Sequence, residues 1–216
     1  ETTDVWIRER TGICRRHIAE KETVVDMGTQ AAVQALQHSG ISAKEIDLLI
    51  VSTLSAETVM PSVSCRIQER IGAVRAVCFD LNAACSGFLL AYQSAEAYLE
   101  SGAYKTALII GSERLSNIID WKDRNSCILF GDGAGAVFVR ADNTKRYVAV
   151  TGSDGQKGDV LQAGRIPLKN LLVKNDFTDT DYYMSMNGQE VFKFAVKTVP
   201  EAIRQTRQGP HPALIP

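Results

Sequence analysis

Long apolar runs are missing from this chain: nothing in its 216 residues approaches the roughly 18 consecutive apolar residues of a membrane-spanning helix. An excess of one charge is missing too. The sequence holds 24 basic and 25 acidic residues, a net charge of -1, so no long-range positive field draws it onto nucleic acid. This excludes a chain that is basic throughout, though not a local basic patch. Internal repeats and low-complexity tracts are absent, and 45% hydrophobic with 23% charged residues excludes disordered and collagen-like classes. Cysteines number five, an odd count with no C-x-x-C spacing, which argues against a disulfide framework or a zinc site. Unpaired thiols suit a reducing cytoplasm, and no leader segment is visible. What remains is an ordinary globular composition, as one large domain or two small ones, long enough to bury a core without staples.

Residues 22–39 place Val24, Met27, Ala31, Ala35 and Leu36 at the spacing of a helix with one buried face, and Gly40 is a natural stop beyond it. Residues 46–51, IDLLIV, are nearly continuously apolar and predict a strand covered on both faces, as in a parallel sheet. Residues 60–72 read as a second helix, with Val63, Ile67 and Ile71 on one side. Residues 76–81 read as another buried strand, and residues 88–101 as a helix apolar on most faces and hence central. Residues 106–111 are a third strand. This alternation predicts an α/β fold with right-handed crossovers. After residue 130 the pattern changes. A glycine-rich stretch at 131–135 precedes AVFVRA and RYVAVTG, two neighbouring strands without a helix between them. Residues 153–181 are polar and loop-like. Residues 187–208 read as a helix that Pro200 should kink or interrupt, and the proline-rich tail from Gly209 is irregular.

The most informative segment is Asp80-Leu81-Asn82-Ala83-Ala84-Cys85-Ser86-Gly87-Phe88. Cys85 follows a strand by a few residues and opens a helix. Helix N-termini carry unpaired N–H groups and a partial positive charge, which stabilise a thiolate and a developing oxyanion. Ser86 and Gly87 leave the approach open. A free cysteine is otherwise a small buried hydrophobe. Cys78, within a strand, fits that role, and Cys14, Cys65 and Cys127 lack comparable electrostatics. We therefore read those four as structural and Cys85 as the candidate nucleophile.

The segment DLNAACSGFLLAY resembles the active-site region of the β-ketoacyl-acyl carrier protein synthase III family, thiolase-fold condensing enzymes. Further motifs follow in the family's order: Thr3-Asp4-Val5-Trp6-Ile7 with Arg10-Thr11-Gly12-Ile13, Met60-Pro61-Ser62, Gly111-Ser112-Glu113, Asp123-Arg124, Phe130-Gly131-Asp132-Gly133-Ala134-Gly135, and Met186-Asn187-Gly188-Gln189-Glu190-Val191-Phe192. The resemblance covers nearly all of residues 1–205. It implies a layered α-β-α-β-α thiolase-like architecture, with a nucleophile-bearing half over residues 1–145 and the start of an incomplete second half over 146–216. It also implies that Cys85 takes an acyl group from acyl-coenzyme A and condenses it with malonyl-acyl carrier protein, releasing carbon dioxide. By resemblance, Trp6 stacks on the coenzyme A adenine, Arg124 lies on its other side and Arg10 contacts the phosphate region. Gly188 and Phe192 line the pantetheine channel. A flat indole and guanidinium groups suit those tasks. The thioester is a substrate, and neither a separate cofactor nor a metal is expected. A homodimer is expected, with the Met60 region reaching the partner's acyl pocket.

Gly131-Asp132-Gly133-Ala134-Gly135-Ala136 formally fits a dinucleotide-binding pattern, but a β-rich run follows instead of a helix. We read these glycines as tight turns and close backbone packing. Of the three histidines, His17 and His38 read as surface or capping residues. His211, flanked by Pro210 and Pro212, resembles the family's P-H-Q-A-N histidine only superficially, because the Gln and Asn of that motif are missing. The family pairs its cysteine with a histidine and an asparagine that stabilise the charge left by decarboxylation. Counterparts are not identifiable here, and the family's first strand is not found before Asp4. The expectation is a chain that is truncated at both ends relative to the family and is acylated at Cys85 without efficient condensation. Two other readings stay open: a different thiolase-fold synthase, and a non-catalytic remnant.

Overall fold

The structure is a computed structural model and describes residues 2–142, 148–164, 172 and 182–207. Its contacts group the chain into two compact units, one of residues 16–117 and 131–146, the other of residues 1–15, 118–130 and 147–216.

The first unit is built on a four-stranded sheet. Its strands are β1 (Leu48–Ser52), β2 (Val77–Leu81), β3 (Thr106–Arg114) and β4 (Asp132–Arg140), in the order β2-β1-β3-β4. β1 pairs in parallel with β2 and β3, whereas β4 runs antiparallel to β3. Two helices join the parallel strands, α3 (Val63–Ile71) and α4 (Gly87–Glu100); α2 (Val24–Ser39) precedes β1 and follows α1 of the second unit (Asp4–Thr11).

Alternation along the strands divides the core in two. Leu49, Val51, Leu108 and Ile110 face Val24, Val25, Ala32 and Leu36 of α2 and Val63 and Ile67 of α3. Leu48, Ile50, Ala107 and Ile109 face Ala91 and Ala95 of α4. β1 is buried along its whole length because both faces are covered, as its unbroken apolar run predicts. Each fully buried Leu or Ile contributes about 1.5–3 kcal/mol.

Local chemistry sets the helix ends. Thr23 and Asp26 close a reciprocal capping box at the start of α2, and Gly40 ends it in the left-handed region at φ 67°. α3 begins only at Val63, three residues later than its apolar spacing suggests. Its cap is Ser62, whose hydroxyl accepts from the Cys65 N–H, and the Met60–Pro61 peptide before it is cis.

Three expectations need correction. β2 is not buried on both faces: it is the sheet edge, and Val77 is 49% exposed. α4 is covered along one stripe rather than on most faces: Gly87, Ala91 and Ala95 are buried while Leu89 is 62% exposed. Its broad apolarity exceeds the one stripe that the sheet covers. Residues 148–152 form no strand, and Arg146 and Tyr147 lie outside the described residues. Without a neighbouring strand to pair with, β-propensity alone builds no ladder.

In the second unit, β5 (Leu161–Gln162) pairs antiparallel with β6 (Ser185–Met186), and α5 spans Gly188–Arg207. α5 runs through Pro200 as one helix rather than being interrupted. The loop-like stretch 153–181 contains a 3-10 segment at Gly155–Val160 and β5. Its residues 165–171 and 173–181, together with Gln208 and the His211 tail, lie outside the described residues.

Candidate active site

Cys85 is exposed and sits in a single 3-10 turn, Ala84–Ser86, between the end of β2 and the first turn of α4. The chain reaches that turn through Ala84, at φ 45° the only non-glycine residue of positive φ among the described residues. A side chain in the left-handed region costs about 1–3 kcal/mol, and such strain persists only where surrounding contacts over-determine it. Those contacts are visible. The Thr53 N–H donates to the Leu81 carbonyl at 3.1 Å, and the Asn82 carboxamide oxygen accepts from the Ala84 N–H at 3.3 Å. On the far side, a Cβ on Gly87 would lie 2.1 Å from Ser52 Oγ, so only glycine lets α4 seat this closely on β1. Phe88 then packs over Gly111, whose imagined Cβ would meet its ring at 3.4 Å. Ser86, the residue before α4, makes no side-chain capping bond to the helix. The start of α4 thus offers backbone N–H groups and the positive end of the helix dipole beside an exposed sulfur.

The other cysteines differ. Cys78 is half-buried, its sulfur donates to the Ala76 carbonyl, and burial is the main cause that pushes its thiol up to about 12. Proximity to Cys65 and Asp80 adds to that rise, and a thiol so shifted stays protonated at neutral pH. Cys14 and Cys65 are exposed, and Cys127 is half-buried in the turn where its N–H donates to the Asp123 carbonyl.

In the second unit three residues from two separate stretches meet. The guanidinium carbons of Arg10 and Arg124 lie 5.1 and 5.0 Å from the centroid of the Trp6 ring. Arg10 gets there by helical spacing, four residues after Trp6 on α1. Thr3 caps that helix by accepting from the Trp6 N–H at 3.2 Å. Arg124 is aimed by a tight turn: the Asp123 carboxylate accepts from Ser126 Oγ at 2.6 Å and from the Asn125 N–H at 3.0 Å. The Ser126 hydroxyl is the leading cause that holds the Asp123 carboxyl below its usual range. An indole ring with two guanidinium groups against it combines a flat apolar surface with positive charge, the chemistry that suits a flat, anionic molecule.

Gly188 opens α5, and Phe192 one turn later is 67% exposed. Among the described residues no further candidate residue lies against them, although Phe194 nearby on α5 carries Lys157 Nζ 5.4 Å from its ring centre. In the glycine-rich stretch the expectation of tight turns needs correction. Gly133 and Gly135 lie within β4, and nothing stands within 4 Å of a Cβ added to either. Only Gly131 is closely packed, since its Cβ would fall 2.9 Å from the His17 carbonyl oxygen. Asp132 makes the junction: its N–H donates to that same carbonyl, and its carboxylate accepts from the N–H groups of Ala19 and Ser116. Among the described residues, no helix N-terminus directly follows β4 to cradle a phosphate.

Two contributors had no sequence signal or only a faint one. Ala84 carries none, because alanine is not a turn-forming residue. Glu113, a carboxylate ending an otherwise apolar strand, was visible but had no assigned partner.

Comparison with known proteins sets these features in context. Residues 79–155 match the family model for 3-oxoacyl-[acyl-carrier-protein] synthase III. A β-ketoacyl-[acyl-carrier-protein] synthase III of Clostridium acetobutylicum is 47% identical over 210 residues, covering 95% of this chain and 63% of the relative. The crystal structure of the 3-oxoacyl-[acyl-carrier-protein] synthase III of Aquifex aeolicus superposes with a TM-score of 0.85 at 39% identity, over 95% of this chain and 62% of that one. A priming β-ketosynthase from a polyketide biosynthetic pathway matches at a TM-score of 0.85 and 36% identity, over 94% of this chain and 61% of that one. The chain therefore spans just under two thirds of the length of the relatives it matches. Its fold is α/β and thiolase-like, and over the stretch it spans the chain is similar to β-ketoacyl-[acyl-carrier-protein] synthases III.

Proposed function

We propose that this chain carries the acyl-accepting chemistry of a condensing acyltransferase that initiates fatty acid synthesis, with Cys85 as the nucleophile. The observation that carries this reading is the exposed Cys85 sulfur on a strained turn at the carboxyl end of β2, directly before α4. In the proposed step the Cys85 thiolate attacks the thioester carbonyl of an acyl-coenzyme A. The tetrahedral oxyanion is stabilised by N–H groups at the start of α4. The carbon–sulfur bond to coenzyme A then breaks. The coenzyme leaves as a thiolate that takes up a proton, and the acyl group stays on Cys85. In the complete reaction this acyl-enzyme condenses with malonyl-acyl carrier protein, with loss of carbon dioxide.

Trp6, Arg124 and Arg10 take the nucleotide end of coenzyme A in this reading. The clustering of both guanidinium groups on the indole supports it. Gly188 and Phe192 take the pantetheine arm. The assignment of halves to residues 1–145 and 146–216 belongs to the same reading. A homodimer is supported by β2, an open sheet edge with exposed Val77 and, just before it, Val74 at 72% exposure. Among the described residues, no helix is long and apolar enough to cross a membrane.

The test is covalent labelling. Incubation with radiolabelled acetyl-coenzyme A should label the wild-type chain and Cys78→Ala but leave Cys85→Ala unlabelled. Equal labelling of the two variants would end the assignment. A second reading, a thiolase-fold synthase of polyketide type, is favoured by the likeness to the priming β-ketosynthase. Profiling acyl donors and carrier-protein acceptors separates the two.

A further inference from the structure

Beyond the nucleophile itself, we propose that Glu113 is a positioning residue that holds the Cys85 turn in register through the Thr53–Leu54–Ser55 segment. This rests on the reading of Cys85 as the acyl acceptor.

The observations form a chain of contacts within one compact unit. Glu113 lies near the end of β3. Its carboxylate accepts from the Leu54 N–H at 2.9 Å, from Thr53 Oγ1 at 3.3 Å and from the Ser55 hydroxyl in a short contact. Ser55 Oγ in turn accepts from the Arg114 N–H at 2.8 Å. Four bonds thereby tie three consecutive, largely buried residues to the end of β3.

That segment begins at one of the two points that bracket Cys85 and directly follows the other. Thr53 is the residue whose N–H holds the Leu81 carbonyl, at the entrance to the turn. Ser52 is the residue on which Gly87 seats, at the exit. In parallel register, Ser52 stands beside Leu81 on one side and Gly111 on the other. A shift of the 53–55 segment therefore moves both ends of the segment that carries the sulfur. Burial pushes the Glu113 carboxyl above its ordinary value, against the pull of its three donors, so the group is held there at some cost. Ordinary stitching of β1 to β3 needs no such group, because the backbone ladder already joins them through residue 111.

A positioning role differs from a merely structural one in its kinetics. Removing Glu113 misplaces the attacking sulfur while the nucleotide platform, in the other unit, is untouched. In single-turnover acylation of the full 216-residue chain by acetyl-coenzyme A, followed by intact mass, Glu113→Ala should lower the maximal rate by roughly ten- to a hundredfold. The half-saturating acetyl-coenzyme A concentration should stay unchanged. Glu113→Gln keeps an acceptor for the Leu54 N–H and a group that can donate to the two hydroxyls, so it should recover most of the rate. A wild-type rate for Glu113→Ala, a loss carried by half-saturation, or no recovery with Gln would each overturn the proposal. Should Glu113→Ala fail to fold, Ser55→Ala cuts the same link and must still slow acylation, and an unchanged rate overturns the proposal. If the wild-type chain takes no acyl group at all, the functional reading fails instead. Iodoacetamide alkylation of Cys85 then tests Glu113 alone: the order wild type, Gln, Ala supports it, and three equal rates overturn it.

Discussion

Gly87 carries a constraint that no other side chain can meet. An alanine there would thrust its Cβ to 2.1 Å from Ser52 Oγ and 3.3 Å from Ser52 Cβ, lifting the start of α4 off the sheet. Overpacking of this kind costs about 1–3 kcal/mol. Gly87→Ala should lower the stability measured by urea unfolding by that amount and slow acylation of Cys85, and adding Ser52→Gly should restore part of both. At the second cluster, Trp6→Ala and Arg124→Ala remove a stacking partner worth about 0.5–2 kcal/mol, which converts to a roughly 2- to 30-fold weaker affinity. Titration calorimetry with coenzyme A should show that loss, while the alkylation rate of Cys85 stays as in the wild type. At this scale the sequence identified the type of residue and its spacing. Cys85 was singled out in that way, whereas Trp6 and Arg10 were pointed to by the family resemblance. That Arg124 meets Trp6, from a distant stretch of the chain, was not derivable from spacing, and only the family resemblance pointed to it.

Among the elements, α2 is the best specified. Thr23 and Asp26 lock its start, Gly40 ends it, and Val24, Val25, Gly28, Ala32 and Leu36 form its buried stripe. Asp26 also pairs with Arg70 of α3 at 2.6 Å. Its carboxyl is lowered to about 2, first by the Thr23 N–H, then by the Thr23 hydroxyl and Arg70. A depressed folded-state value means that the contribution to stability is complete above the unfolded value, about 3.9, and fades as pH falls toward 2. The wild type should therefore lose thermal stability through that window, and Asp26→Asn should lack the increment. The increment is small, because both side chains are 36% exposed and solvent screens the pair. The helix stop written in glycine at Gly40 and the apolar period of α2 are local signals, so they were legible. The start of α3 was not, because Met60 and Pro61 continue the apolar pattern without continuing the helix. The exposed faces of α4 and β2 were misread for a related reason: composition reports what can be buried, while neighbours decide what is.

For the molecule as a whole, the open edge at β2 has a consequence for assembly. An edge strand presents unpaired backbone groups, and Val77 with Val74 makes this one apolar. If this edge joins two copies, as proposed, Val77→Lys should shift the chain from dimer to monomer in sedimentation velocity. A chain that sediments as a monomer in both forms removes the edge from the assembly.

The sequence by itself determined the alternation of strands and helices, the caps of α2, the identity of the candidate nucleophile and the family motifs. Each depends on residues close together in the chain, where backbone geometry fixes who meets whom. Tertiary structure alone decided which strand became the edge, that Ala84 sits in a left-handed conformation, that Gly87 seats on Ser52, and that Glu113 ties residues 53–55. Those are contacts between segments brought side by side by parallel pairing, and no local period in the chain encodes that meeting.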